Sequence, residues 1–299
     1  MIMQILYQNK KVWGERLNMI LNKNLLKEIE LKKILTDISS GNKTWQQEDQ
    51  THLVQSMMLH IGSLDSELRD NLIYGSFYEL IHEKNLLEHS LLTELLEDSL
   101  NNLLCKGIEE SESDLVFTRT FTSLLIALIL FRDNADDFLS QQKIADCKDK
   151  VLAYLAAEKD VRGYVTVKGW AHSVAHMADA IDELVKNPKL NKASYSEIVS
   201  ALYNVVLQEN HAFIHNEDER ILVPIFTMLE HGLKEQEIIR LLQELPATLK
   251  VKKEQLDVQH HRILVFNCKS FVKSFYIKTN GKPKFAALHK CIEACLDAL

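Results

Sequence analysis

The chain has 299 residues, 46% of them hydrophobic, with only nine glycines and four prolines and a formal charge of −7. Such a length suits one large or two ordinary domains, and the scarcity of both helix breakers beside abundant Leu, Glu, Lys and Ala predicts helix throughout. A mildly acidic chain lacks the basic stripes that general nucleic-acid binding needs, and its longest apolar run, 124–131, is too short to span a bilayer.

Residues 1–45 read as an N-terminal helical extension. Leu25, Ile29, Leu31, Ile34 and Leu35 suggest one amphipathic helix that stops near Ser39, Ser40 and Gly41. Ahead of it, Lys10 and Lys11 follow a very short apolar run, the wrong order for a secretion signal. The cysteines (Cys105, Cys147, Cys268, Cys291 and Cys295) are odd in number and scattered, which predicts reduced thiols and a cytoplasmic protein. Cys291 and Cys295 share a helical face near His289, a trio that packing accounts for.

Residues 46–299 read as a single all-α domain of stacked antiparallel helix pairs, an α-α superhelix with irregular repeats of HEAT or armadillo type. Apolar residues at helical spacing predict helices near 47–61, 65–83, 87–105 and 114–132, the last apolar almost all round from Phe121 to Phe131 and so the central buried one. Further helices are expected near 140–158, 168–186, 194–210, 217–231, 234–245, 254–277 and 284–298. Gly232 would end one of them and Pro246 another. Tyr164 to Val167 is a short extended piece.

The most informative stretch runs from Arg162 through Gly163 and Gly169 to Asp179. On the helix expected over 168–186, Ala171, Val174, Ala175, Ala178, Ile181 and Val185 form an apolar stripe. His172, His176, Asp179 and Glu183 stack on the opposite side, one turn apart. Three readings stand side by side for that face: a solvated surface with helical ion pairs, the polar wall of a ligand groove, or a metal site. His172, His176 and Asp179 have the spacing to offer two or three ligands to a divalent metal from one helix, although no CxxC or HExxH signal accompanies them. A second His-x3-His-x2-Asp at His211, His215 and Asp218 spans an expected helix break at 216–218, so its side chains would not share a face and the match reads as mostly coincidence.

The segments Arg162-Gly163-Tyr164 and Lys168-Gly169-Trp170-Ala171-His172-Ser173-Val174-Ala175-His176-Met177-Ala178-Asp179 resemble the signature of a bacterial family, domain of unknown function 2785. Phe117-Thr118-Arg119-Thr120-Phe121 and Glu217-Asp218-Glu219-Arg220 resemble two further blocks of it, and the likeness spans roughly 65–220. The resemblance implies an all-helical bacterial protein and supplies no catalytic residues.

Arg69, Arg119, His172 and Arg220 each fall near the start of the second helix of a pair, at intervals of 50, 53 and 48 residues. In a helical-repeat array such positions form a row, which here would set cationic groups and helix N-termini along one groove. Alternatively, each arginine bonds an acid or a helix end in the neighbouring repeat. Arg119, in an otherwise apolar helix, requires a partner on either reading.

No phosphate loop, GxGxxG, GxSxG elbow or CxxC pair is present. The expectation is therefore a cytoplasmic binding module whose polar concave groove takes an anionic small molecule or an acidic peptide segment, without nucleic acid or membrane partners. Arg119, Trp170, His172, His176, Asp179 and Arg220 would line the groove, with Trp170 as a flat apolar wall. No cofactor is required, a divalent metal on His172, His176 and Asp179 being the alternative. A second alternative is a hydrolase with a His base or metal on the same helix, and a third is an adaptor whose groove takes another protein's helix. The oligomeric state is not legible.

Overall fold

The structure, a computed structural model, describes residues 25–110 and 112–299. The charge pattern of residues 1–24 lies outside them. The chain is 73% helical, and among the described residues strand is confined to one antiparallel pair, Tyr164–Val165 (β1) with Gly169–Trp170 (β2). The fold is all-α.

Two short helices open it, α1 (Glu28–Ser39) and α2 (Gln50–Leu59), and Leu31 and Leu35 of α1 join the same core as helices far down the chain. A continuous helix α3 follows, in which Tyr74–Tyr78 is α-helical between wider π turns at Glu67–Ile73 and Glu79–Glu83. Next come α4 (His89–Asp98, extended by a π turn at Ser99–Leu103), α5 (Leu115–Asp136) and α6 (Gln141–Ala157). After the β pair stand α7 (Ser173–Lys186), α8 (Tyr195–Val206), α9 (Glu217–Glu230), α10 (Glu235–Gln255), α11 (Val258–Thr279) and α12 (Ala286–Ala298).

Packing sorts most of these into two rows. One runs α3, α5, α7, α9, α11, each helix against the next; the other runs α6, α8, α10, α12. α5 and α7 sit deepest. Every residue of α5 from Val116 to Leu130 is buried. Its length and hydropathy alone would suit a bilayer, but 78% of its most apolar 18-residue stretch is buried inside the protein. α7 likewise buries Ser173–Ala178, Ala180–Asp182, Leu184 and Val185, because it is packed by α5 on one side and α9 on the other.

Two helix boundaries differ from the sequence expectation, each for a physical reason. α7 begins at Ser173 rather than near Lys168. The preceding residues pair as β1–β2, with Gly169 at φ +82° and His172 at φ +50°, and neither conformation continues into a helix. α10 runs through Pro246, where a stop was expected. Leu242, Leu245 and Leu249 are buried on both sides of the proline, and their burial offsets the roughly 3 kcal/mol that an interior proline costs.

Cys147 and Cys268 lie fully inside this packing, and burial pushes both thiols up to about 12, whereas Cys105 is exposed. A maleimide at neutral pH is expected to label Cys105 in the folded protein and to reach Cys147 and Cys268 only after unfolding. Peptide mass spectrometry of a labelling time course checks this; early modification of Cys147 would contradict the packing of α6.

Candidate functional site

Where α7 and α9 begin side by side, three chemically capable side chains meet. His172 is the N-cap residue of α7, while His215 and Glu217 flank Asn216, the N-cap residue of α9. His172 Nε2 lies 3.4 Å and His215 Nδ1 3.7 Å from Glu217 Oε1, and the three ligand atoms all fall within 4.8 Å of one another. Glu217 is almost fully buried, His172 is 13% exposed and His215 is 27% exposed at the side chain. The group is therefore a cluster with one open side.

The backbone that builds it is strained. His172 and Asn216 are both left-handed, at φ +50° and +64°, and neither helix start has a side-chain cap. Each costs about 1 kcal/mol or more for a non-glycine residue, and such conformations gather at functional sites. Pairing across the hairpin fixes His172, since its amide donates to Arg162 O and that of Ala171 donates to Gly163 O. Gly163 is a close-approach position: a Cβ there would stand 2.1 Å from His215 Nδ1 and 3.0 Å from Glu217 Oε1.

Electrostatics hold Glu217 as a carboxylate. Burial pushes its pKa up, but the His172 ring, the amide of His215 and its own amide outweigh that and hold it below the ordinary value. The His215 N–H donates to Glu217 Oε2 at 2.9 Å. His172 Nε2 is buried, near Glu217 but without an aligned hydrogen-bond partner. One turn down α7, His176 is 9% exposed and its Nδ1 is also unpartnered. Burial, reinforced by His172, Arg220 and Arg69, depresses His176 to about 3, so that ring is neutral at physiological pH.

Aromatic rings crowd the open side. Trp170 is 39% exposed, with its ring centroid 4.5 Å from that of His172 and 5.1 Å from that of His215. Tyr164 packs edge-on against Trp170 and is itself exposed. Further along α7, Asp179 accepts from Nε and Nη2 of Arg220 of α9, one on each carboxylate oxygen. Asp179, Asp182 and Glu183 then line one wall of a cleft of about 230 Å³, opposite Tyr74, His82 and Phe131.

Of the residues expected to line a groove, Trp170, His172 and His176 come together here, while Asp179 and Arg220 form a pair lower on the same two helices. Arg119 is elsewhere. It is fully buried, holds Glu158 bidentately at 2.6 and 2.9 Å, and donates to the carbonyls of Lys106 and Gly107. Arg69 is also fully buried, donating to Ser63 O and Lys168 O with its guanidinium over Phe117 and Phe121. Arg69 and Arg119 therefore staple connecting segments rather than form a row with His172 and Arg220.

The carboxylate closest to His172 is Glu217 of α9, rather than Asp179 on its own helix. His215 joins the cluster, whereas the other members of its motif go elsewhere: Asp218 accepts from Ser274, and His211 lies 3.8 Å from Glu112. The repeated His-x3-His spacing was the available signal. Its two copies fall on the right pair of segments, contrary to the expectation of coincidence, although only one histidine from each belongs to the cluster.

The fold and site define an all-α protein with a histidine–carboxylate centre between two helix N-termini. Residues 104–277, more than half the chain and including every residue of the cluster, match the family described as Protein of unknown function (DUF2785), and the chain belongs to that family. Neither the curated proteins nor the solved structures contain a match to it.

Proposed function

We propose that this protein is a cytoplasmic binding module of stacked helix pairs, wound as an α-α superhelix, that takes a small anionic molecule at the mouth formed by the starts of α7 and α9. The observation that supports this best is the convergence of His172 and His215 beneath the half-exposed Trp170. It lies at two adjacent helix N-termini that both lack a side-chain cap. At the start of α7 the first-turn amides and the helix dipole favour an anion, while at α9 Glu217 accepts from its own amide, and an indole face suits the apolar body of such a ligand. The five free cysteines agree with a reducing compartment.

A hydrolase is the second reading, favoured by the carboxylate that α9 brings to within 3.4 Å of His172 Nε2. That arrangement resembles an oriented general base.

Thermal unfolding in the presence of phosphate and of small dicarboxylates and tricarboxylates tests the first reading. A ligand at 100 times its Kd adds about 2.7 kcal/mol, expected to raise Tm by roughly 5 °C for a chain of this size. The same ligand should perturb the Trp170 fluorescence, identified by comparison with Trp170→Phe, and both effects should vanish in a His172→Ala, His215→Ala double variant. An unchanged Tm with every anion would remove the reading.

A further inference from the structure

The geometry points to a divalent transition-metal site, best fitted by zinc, formed by His172 Nε2, His215 Nδ1 and Glu217 Oε1. It deepens the reading above, since the metal would be what anchors an anionic group, but it stands on separate observations. Two imidazoles and one carboxylate are a ligand set that zinc accepts with a fourth position left for water or substrate. Tetrahedral zinc with bonds of about 2.0–2.1 Å places neighbouring ligand atoms roughly 3.3–3.4 Å apart. The separations of 3.4 and 3.7 Å about Glu217 Oε1 are close to that value, and the two imidazole nitrogens, within 4.8 Å of each other, would draw together by ring rotation on binding.

The surroundings are those of a ligand set. The second oxygen of Glu217 is fixed by the His215 amide, the kind of outer hydrogen bond that orients a metal-binding carboxylate. His172 Nε2 is buried without an aligned hydrogen-bond partner, a state that costs stability unless something occupies it. A second buried and unpartnered imidazole nitrogen, Nδ1 of His176, lies on the adjoining turn. Two left-handed residues, His172 and Asn216, are held in place to bring the three donors together from segments 43 residues apart. Gly163 keeps clear the space beside His215 and Glu217 that a methyl group would fill. The three donors come from two helix starts rather than from one helix face, which distinguishes this set from His172, His176 and Asp179.

The chemistry assigned is binding and Lewis-acid polarisation. Zinc held this way would present its fourth position on the side bordered by His215 and Trp170, where an oxygen anion could replace water.

The test uses the full chain stripped with a chelator and titrated with Zn²⁺ against a competing indicator dye, followed by Co²⁺ for its visible spectrum. One equivalent of Zn²⁺ should bind, and Co²⁺ should give the intense visible bands of tetrahedral coordination. His215→Ala and Glu217→Gln should each weaken zinc binding by more than 100-fold, beyond the 10–100-fold typical of losing an outer partner. Gly163→Ala, which displaces the His215 ring, should weaken it as well. His211→Gln, at a partly exposed ring that faces Glu112 instead, should bind within a few-fold of the parent. Circular dichroism of each variant confirms that it is folded, and His215, being partly exposed, is the position least bound up with folding.

Absence of zinc uptake by the parent would overturn the assignment, as would uptake unaffected by His215→Ala and Glu217→Gln. Anion-induced stabilisation of the stripped chain without zinc uptake would remove the metal and leave the anion-binding reading standing. Zinc uptake without any anion response would do the reverse.

Discussion

Arg119→Met is expected to lower the free energy of unfolding by about 3–5 kcal/mol, the usual cost of removing one partner from a buried ion pair. The guanidinium is fully buried, and its partners lie in the connections after α6 and before α5: both oxygens of Glu158 and the carbonyls of Lys106 and Gly107. Truncation would leave Glu158, only 5% exposed at its side chain, as a buried charge without its counter-ion. A double variant, Arg119→Met with Glu158→Leu, removes both charges and should recover most of the loss. Urea denaturation followed by circular dichroism measures both. A loss under 1 kcal/mol for the single variant would mean that the pair is not the staple described.

Gly62→Ala is expected to cost roughly 3 kcal/mol or more, by forcing the chain before α3 away from the start of α5. A Cβ at Gly62 would fall 2.1 Å from Thr118 Oγ1 and, less forgivingly, 2.7 and 2.8 Å from the Thr118 backbone N and Cα. A hydroxyl can rotate away. Helix backbone in the most deeply packed element cannot, and overpacking there costs more than the usual 1–3 kcal/mol of an added methyl. Gly75 supplies the contrast. It lies inside α3 with nothing within 4 Å of its would-be Cβ, so Gly75→Ala should stabilise by about 0.5–1 kcal/mol through helix propensity and unfolded-state entropy. Equal effects from the two substitutions would contradict the close approach at Thr118.

Much of the helix content was legible because it rests on local periodicity. α5 declares itself by apolar residues on every face, and α6, α9 and α11 fall close to the expected spans. What the sequence concealed depends on contacts between distant segments. Nothing local says that residues 164–165 will pair with 169–170 and delay α7 until Ser173, or that leucines around Pro246 will carry a helix through a proline.

The same limit governed the site. The spacing along its own helix singles out His172. Helical spacing points to a carboxylate on the same helix, whereas the one beside His172 comes from the start of a helix that packs alongside. A helix break at Asn216 predicts that His215 is separated from the helix beyond it. In the structure that break, with φ +64°, is what places His215 and Glu217 together. The regular spacing of Arg69, Arg119, His172 and Arg220 is real, but spacing along the chain does not say which way a side chain points. Two of the four are internal staples.

The central claim is that His172, His215 and Glu217 form one centre able to hold a metal ion, and a crystal structure of the zinc-soaked protein tests it most directly. Anomalous diffraction at the zinc edge should show one strong peak about 2.0–2.2 Å from His172 Nε2, His215 Nδ1 and a Glu217 oxygen, with a fourth ligand on the side nearest Trp170. A peak on other residues, or three side chains turned into separate surroundings with no peak between them, would contradict it.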